Sequence, residues 1–124
     1  MINLIIVMFG SAIGGALRYW LSSVVYKFLP ETFPYGTLAV NIIGSFTLGI
    51  IIFLFDEREL LNNQLRFFLT IGFCGGFTTF STFSLETFNL IRDSEYLLAS
   101  LNVLLNVIVC LAGVFIAYII SKLI

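Results

Sequence analysis

The segment that decides the fold covers residues 72–86 and reads GFCGGFTTFSTFSLE. It overlaps an uncharged run, residues 67–85, which is long enough for a helix to cross the hydrocarbon core of a bilayer. Two adjacent glycines and a dense set of hydroxyl residues make this segment a poor continuous helix. We therefore expect a membrane-spanning helix that is broken near its middle, with the freed backbone groups buried in protein or bound to a ligand.

Three further stretches of the chain are apolar enough to span a membrane. Residues 37–55 and 96–121 carry no charge, and residues 4–25 are interrupted only by Arg18. Of the 124 residues, 60% are hydrophobic and 10% charged, which is too little charge to cover the surface of a soluble domain. The sequence therefore predicts an all-α, integral membrane protein with a single domain, residues 1–124, and helices at about residues 4–26, 36–55, 66–91 and 96–121.

The composition excludes several kinds of function. The chain has no histidine, which argues against an all-protein zinc site or a histidine proton relay. Cys74 and Cys110 both lie inside predicted spans, so we expect free thiols and no disulfide framework. A net charge of −1 argues against a nucleic-acid partner. Residues 1–9 have no basic region, so we expect a first membrane span there and not a signal peptide.

Positive charges are nearly balanced between the two sides of the predicted helices. Arg58, Arg66 and Lys122 lie on one side, and Lys27 and Arg92 on the other, with Arg18 added if it reaches that side. Orientation normally follows an excess of lysine and arginine in cytoplasmic loops. This balance permits insertion in both orientations, although short loops alone would also give small counts. A bundle of four helices encloses little space by itself, so we also expect it to oligomerise.

Two of the predicted helices carry uncharged polar stripes. The stripes are Thr37, Asn41 and Ser45 in the second helix, and Asn102, Asn106 and Cys110 in the fourth. Residues four apart share one face of a helix. Polar groups facing lipid would lack partners, so these stripes must face protein or water. Hydrogen bonding between helices and the lining of a path for a small, dehydrated ion are both open interpretations.

Aromatic and charged side chains allow two interpretations as well. Phe77, Phe80 and Phe83 recur every third residue and would share a face of a helix. Core packing is the ordinary explanation, but the positive edge of each ring could instead meet an anion. Arg18 and Glu86 lie at or just inside the hydrocarbon, where a charge is costly unless it is paired or hydrated. A structural salt bridge and a charged vestibule are the alternatives for these two residues.

Three segments resemble the Fluc (CrcB) family of fluoride channels: residues 14–19 (GGALRY), 36–46 (GTLAVNIIGSF) and 72–86. The similarity extends in order over essentially the whole chain. It implies a fluoride-selective, passive ion channel, not an enzyme, that exports cytoplasmic fluoride across the cell (inner or plasma) membrane and lowers its toxicity. It also implies an antiparallel, dual-topology homodimer in the lipid bilayer, with two pores and a structural sodium ion (Na⁺) at the dimer interface.

The resemblance also assigns roles to particular residues. The implied anion pathway consists of Arg18, Thr37, Asn41, Phe80, Ser81, Thr82, Phe83, Glu86, Asn106 and Cys110. Within it, Asn41 would donate hydrogen bonds in the pore, and Phe80 and Phe83 would face fluoride. The backbone carbonyls of Gly75 and Thr78 from both subunits would surround the sodium ion.

The main alternative is a small, four-helix, multidrug-type antiporter coupled to protons. Such a transporter needs a titratable carboxylate near the middle of a helix, facing a shared cavity. The first helix of this chain offers Arg18 at that level and no acid. The sequence therefore favours the channel.

Overall fold

The computed structural model describes all of residues 1–124, and it contains only helices, turns and short connections. Four helical segments are long and apolar enough to cross a membrane: Ile2–Phe28, Tyr35–Asp56, Asn63–Arg92 and Tyr96–Leu123. The predicted all-α class with four spans is confirmed. Both cysteines are free.

The first two spans meet at a short connection that contains both prolines of the chain. Helix α1 (Ile2–Phe28) ends two residues before Pro30, and Leu29 has an extended backbone with φ −124° and ψ 147°. A residue before proline is driven out of the helical region, which explains the end of α1. Helix α2 (Tyr35–Ile50) follows directly after Pro34 and continues as the π-helical segment Ile51–Asp56.

The third span consists of two halves. Its first half, α3, runs through Asn63–Phe67, the π-helical segment Phe68–Cys74 and the single turn Gly75–Phe77. Its second half is α4 (Phe80–Arg92), which a tight turn joins to the last helix, α5 (Tyr96–Leu123). Asn62 caps the start of α3, because its Oδ1 accepts a hydrogen bond of 2.8 Å from the Leu65 N–H.

The break in the third span lies at Thr78 and Thr79. Thr78 (φ −87°, ψ 163°) and Thr79 (φ −152°, ψ 120°) are both extended. The glycine pair beside the break, Gly75 and Gly76, remains helical, and no glycine of the chain has a positive φ. The sequence therefore located the break to the right segment, but these glycines do not supply an unusual backbone conformation.

Glycines instead let α1 and α3 approach each other closely. A Cβ on Gly10 would lie 2.6 Å from the Phe68 carbonyl oxygen, and a Cβ on Gly76 would lie 2.7 Å from the Ser11 carbonyl oxygen. Contacts this short with backbone atoms are not tolerated, so only glycine fits. Helix α2 also approaches α5 closely at a glycine, but there a Cβ on Gly49 would lie 2.7 Å from a side-chain atom, the methyl group of Ala117.

Little of the chain is buried inside the four spans. Only 20 of the 124 residues are buried, and large apolar side chains such as Trp20 (60% exposed) and Phe115 (61% exposed) face outward. Apolar surface of this kind is suited to lipid or to another membrane-embedded chain.

The packing of α1 on α3 predicts how two alanine substitutions will differ. Gly76→Ala forces the backbones apart, and we expect it to destabilise the protein by about 1–3 kcal/mol. Gly15→Ala is the matched control, because a Cβ on Gly15 has no neighbour within 4 Å. We expect no loss of stability there, since alanine is the better helix former. Unfolding of both variants in detergent, followed against temperature, measures the difference. Equal losses would contradict this account of the crossing.

Candidate ion site at the helix break

One asparagine of α2 holds the backbone at the break. The Asn41 Oδ1 accepts a hydrogen bond of 2.9 Å from the Thr79 N–H, and its Nδ2 donates one of 3.1 Å to the Thr79 carbonyl. A single amide side chain thus pairs with both backbone groups of one residue, as a neighbouring strand would. Backbone groups within the membrane need such partners, because hydrocarbon offers none.

Arg18 stabilises the other side of the break. Its Nε donates a hydrogen bond of 3.2 Å to the carbonyl of Gly76, in the last turn of α3. A cation is favourable at the C-terminal end of a helix, where free carbonyls carry partial negative charge. Arg18 forms no salt bridge, and neither does Glu86; the two ion pairs of the chain are Arg66 with Asp56 and Arg92 with Asp93. The salt-bridge interpretation of Arg18 and Glu86 is therefore wrong.

The break borders a cavity of about 340 Å³, here called the central cavity. Its lining includes seven residues of the expected site: Asn41, Gly75, Thr78, Phe80, Phe83, Asn106 and Cys110. Ser45, Thr70 and Thr79 add hydroxyl groups to the same lining, and no charged side chain takes part. The structure thus gathers most of the residues singled out from the sequence around one uncharged cavity, whose few polar groups lie among apolar side chains such as Leu48 and Val107.

The remaining site residues lie on the other side of Thr79. Arg18, Thr37 and Thr82 line a second cavity, of about 300 Å³, which also has Thr79 in its wall. Ser81 is exposed beside the break, with its Oγ 3.5 Å from the Thr79 Oγ1.

Glu86 lies further toward the short third loop. It lines a third cavity, of about 440 Å³, together with three other acidic residues: Glu31, Asp93 and Glu95. The Oε1 of Glu86 is buried and has no hydrogen-bond partner. The structure therefore does not bring Glu86 to the central cavity. Thr37, which lines the second cavity, lies close to the Glu86 carboxylate.

The three phenylalanines at three-residue spacing separate into two groups. Phe80 and Phe83 both line the central cavity, and their ring centroids are 5.4 Å apart at an angle of 52°. Phe77 lies before the break, where it is buried and stacks on Phe73 at 6.0 Å. Packing thus explains Phe77. Phe80 and Phe83 border the central cavity, where Phe80 is largely exposed and Phe83 is buried.

Hydrogen bonding extends from Asn41 through Asn106 to Asn102 and Thr87, two residues that the sequence did not identify as part of the site. The Asn41 Nδ2 also donates to the Asn106 Oδ1 (2.9 Å), and the Asn106 Nδ2 donates to the Asn102 Oδ1 (3.0 Å). The Asn102 Nδ2 donates to the Thr87 Oγ1 (2.9 Å). We call Asn41, Asn106, Asn102 and Thr87 the amide chain. The i, i+4 spacing of Asn102 and Asn106 was its only signal in the sequence.

The amide chain limits how Asn41 can act on a ligand. Its two Nδ2 protons are directed at the Thr79 carbonyl and at Asn106, so neither is free in this conformation. An anion that takes a hydrogen bond from Asn41 must compete with one of these partners.

The fold and the site together define a small, multi-pass membrane protein with an uncharged, largely apolar cavity that carries a few polar groups at a break in the third span. Residues 5–118 match the family described as "CrcB-like protein, Camphor Resistance (CrcB)". The chain belongs to this family.

Similar proteins were found in several bacteria. The chain is 50% identical to a protein of Geotalea uraniireducens over 119 residues, which cover 96% of this chain and 95% of the relative. It is 53% identical to one of Geobacter sulfurreducens over 110 residues, covering 89% and 88%. It is 46% identical to one of Coxiella burnetii over 121 residues, covering 97% and 98%. Each of these relatives is named "Fluoride-specific ion channel FluC".

Proposed function

We propose that this protein is a fluoride-selective ion channel of the cell membrane that lets cytoplasmic fluoride leave passively. The observation that carries the proposal is the high identity to named fluoride channels over nearly the whole length of both chains. Hydrogen fluoride enters a cell as a neutral weak acid and releases the anion inside. A negative-inside membrane potential then drives fluoride outward through any selective pore, which lowers its toxicity.

The chemistry of the central cavity supports an anion that passes through without being held tightly. Its polar lining consists of hydroxyl, amide, thiol and backbone groups, with no charged side chain. Phe80 and Phe83 can add the positive edges of their rings to such a path. Many weak donors suit conduction, because an ion must be released as readily as it is bound.

The same cavity gives no support to a proton-coupled antiporter. Its lining contains no carboxylate, and Arg18 of the first span is engaged at the end of α3. A carrier of that kind would need an acid there.

An antiparallel, dual-topology homodimer is the form in which we propose that the channel works. No hydrogen bond within the chain reaches the carbonyl oxygens of Gly75 and Thr78. Gly75 is exposed, and Phe80 beside the central cavity is 79% exposed. Free carbonyls cannot face lipid, so a second copy is the partner that would cover this surface. The balanced lysines and arginines suit two copies inserted in opposite orientations.

The carbonyls of Gly75 and Thr78 also fit the sodium ion that the resemblance implies. Both oxygens lack a donor within the chain, and oxygen ligands are what a hard cation requires. Two such carbonyls from each copy would give four ligands at the centre of a dimer. A sodium ion there would hold the two copies together and supply positive charge near the anion path.

A flux measurement on purified protein in liposomes tests the proposed function. With a potassium gradient and valinomycin to carry the balancing charge, we expect rapid fluoride loss, followed by a fluoride electrode, and no comparable loss of chloride. Equal loss of both anions would contradict selectivity. Loss that requires a proton gradient would point to an antiporter.

Replacing Phe80 or Phe83 by isoleucine tests the role of the rings. Isoleucine keeps an apolar side chain but removes the positive ring edge, so we expect a fall in fluoride flux of about tenfold or more while the dimer stays intact. Phe88→Ile is the matched control, because Phe88 lies on the same helix and is 57% exposed. Its flux should stay normal. Normal flux in both of the first two variants would return these rings to a packing role.

Labelling of single cysteines tests dual topology. With Cys74 and Cys110 replaced, Ser94→Cys and Glu57→Cys each place one exposed thiol, on opposite sides of the four spans. An impermeant thiol reagent added outside whole cells should modify about half of each variant if both orientations are inserted equally. Complete labelling of one variant and none of the other would rule out dual topology.

A further inference from the structure

We propose that Asn102 is a positioning residue of this channel, which fixes the backbone at the helix break through Asn106 and Asn41. Asn102 is fully buried, with 0% of its surface exposed, and it is not part of the lining of the central cavity. Asn106 and Asn41 do line that cavity. Any effect of Asn102 on an ion must therefore pass through other residues. The expected effect of Asn102 on ion flux rests on the proposed function, whereas its effect on the Thr79 backbone does not.

Every polar atom of the Asn102 side chain has a partner. Its Oδ1 accepts from the Asn106 Nδ2 at 3.0 Å, and its Nδ2 donates to the Thr87 Oγ1 at 2.9 Å. The Asn106 Nδ2 also reaches the backbone carbonyl of Asn102 at 2.9 Å. A buried amide in an apolar helix is costly unless it is satisfied in this way.

The direction of the amide chain is fixed at both ends by backbone groups. At one end the Thr87 hydroxyl donates its only proton to the Phe83 carbonyl (2.8 Å), so its oxygen can only accept from Asn102. At the other end the Thr79 N–H can only donate, so it requires the Asn41 Oδ1 (2.9 Å). If any one of the three amides were rotated by 180°, a donor would face a donor or an acceptor would face an acceptor at its neighbours in the amide chain.

A fixed direction gives Asn102 its influence on the break. The Asn102 Oδ1 points toward Asn106 and accepts from its Nδ2, so the Asn106 Oδ1 is available to accept from Asn41. Asn41 therefore keeps the orientation in which its own Oδ1 pairs with the Thr79 N–H. Thr79 is the N-cap of α4, because its Oγ1 accepts from the Thr82 N–H at 3.2 Å. The amide chain thus acts on the residue at which the helix carrying Phe80 and Phe83 begins.

Variants at both ends of the Asn102–Thr87 bond test this role. Asn102→Leu keeps a similar volume and removes the amide, and Thr87→Val removes the hydroxyl at constant shape. We expect each to speed hydrogen exchange at the Thr79 amide by about tenfold and to lower fluoride flux in liposomes by about tenfold, since a buried hydrogen bond is lost. Thr87→Ser keeps the hydroxyl and should restore both measurements to wild-type values.

Ser100→Ala is the matched control, because the Ser100 hydroxyl is exposed and bonds only to the Tyr96 carbonyl of its own helix. It should change neither measurement. Wild-type exchange at Thr79 and wild-type flux in folded Asn102→Leu and Thr87→Val protein would overturn the proposal and leave Asn102 a packing residue. If Asn102→Leu does not fold, Thr87→Val against Thr87→Ser decides alone. If the wild-type protein passes no fluoride, the proposed function is refuted. If the Thr79 amide nevertheless exchanges faster in Asn102→Leu and Thr87→Val, the positioning role of Asn102 is retained.

Discussion

Satisfying the backbone at Thr78 and Thr79 is the constraint on which the rest of the structure depends. Hydrocarbon provides no partner for a free N–H or carbonyl, so a broken span survives only if neighbouring helices supply partners. Asn41 of α2 supplies them for Thr79, and Arg18 of α1 supplies one for Gly76. These bonds tie α1 and α2 to the break, and the bond from Asn41 to Asn106 connects α5 to the same arrangement.

The carbonyls of Gly75 and Thr78 are backbone groups at the break for which a single chain provides no partner. They receive no hydrogen bond, whereas the Gly76 carbonyl and both backbone groups of Thr79 have partners within the chain. Gly75 and Thr78 line the central cavity together with the exposed Phe80, so the unsatisfied groups and the cavity belong to one surface. A second copy and a cation would complete that surface in one step, which links the proposed dimer, the proposed sodium ion and the proposed anion path.

The sequence predicted the spans and the existence of a break because both depend on local composition. In a chain this apolar, long uncharged runs indicate membrane-spanning helices. The glycines and hydroxyl residues of segment 72–86 indicate a break in one of these helices. The partners at the break could not be predicted, because they depend on how helices rotate against each other. Arg18 bonds to a backbone carbonyl, a group that every residue has, and Asn41 bonds to Asn106, 65 positions away. The equal spacing of Phe77, Phe80 and Phe83 was misleading, because the break separates the first ring from the other two.

The close helix crossings also have a consequence for how this sequence can change over generations. A side chain at Gly76 would meet the backbone oxygen of Ser11, and no substitution at position 11 can remove that atom. Gly49 is different, because its obstacle is the methyl group of Ala117, which a glycine at that position would lack. Gly76 is therefore expected to stay invariant among relatives, while residues 49 and 117 can exchange size with each other as a coupled pair.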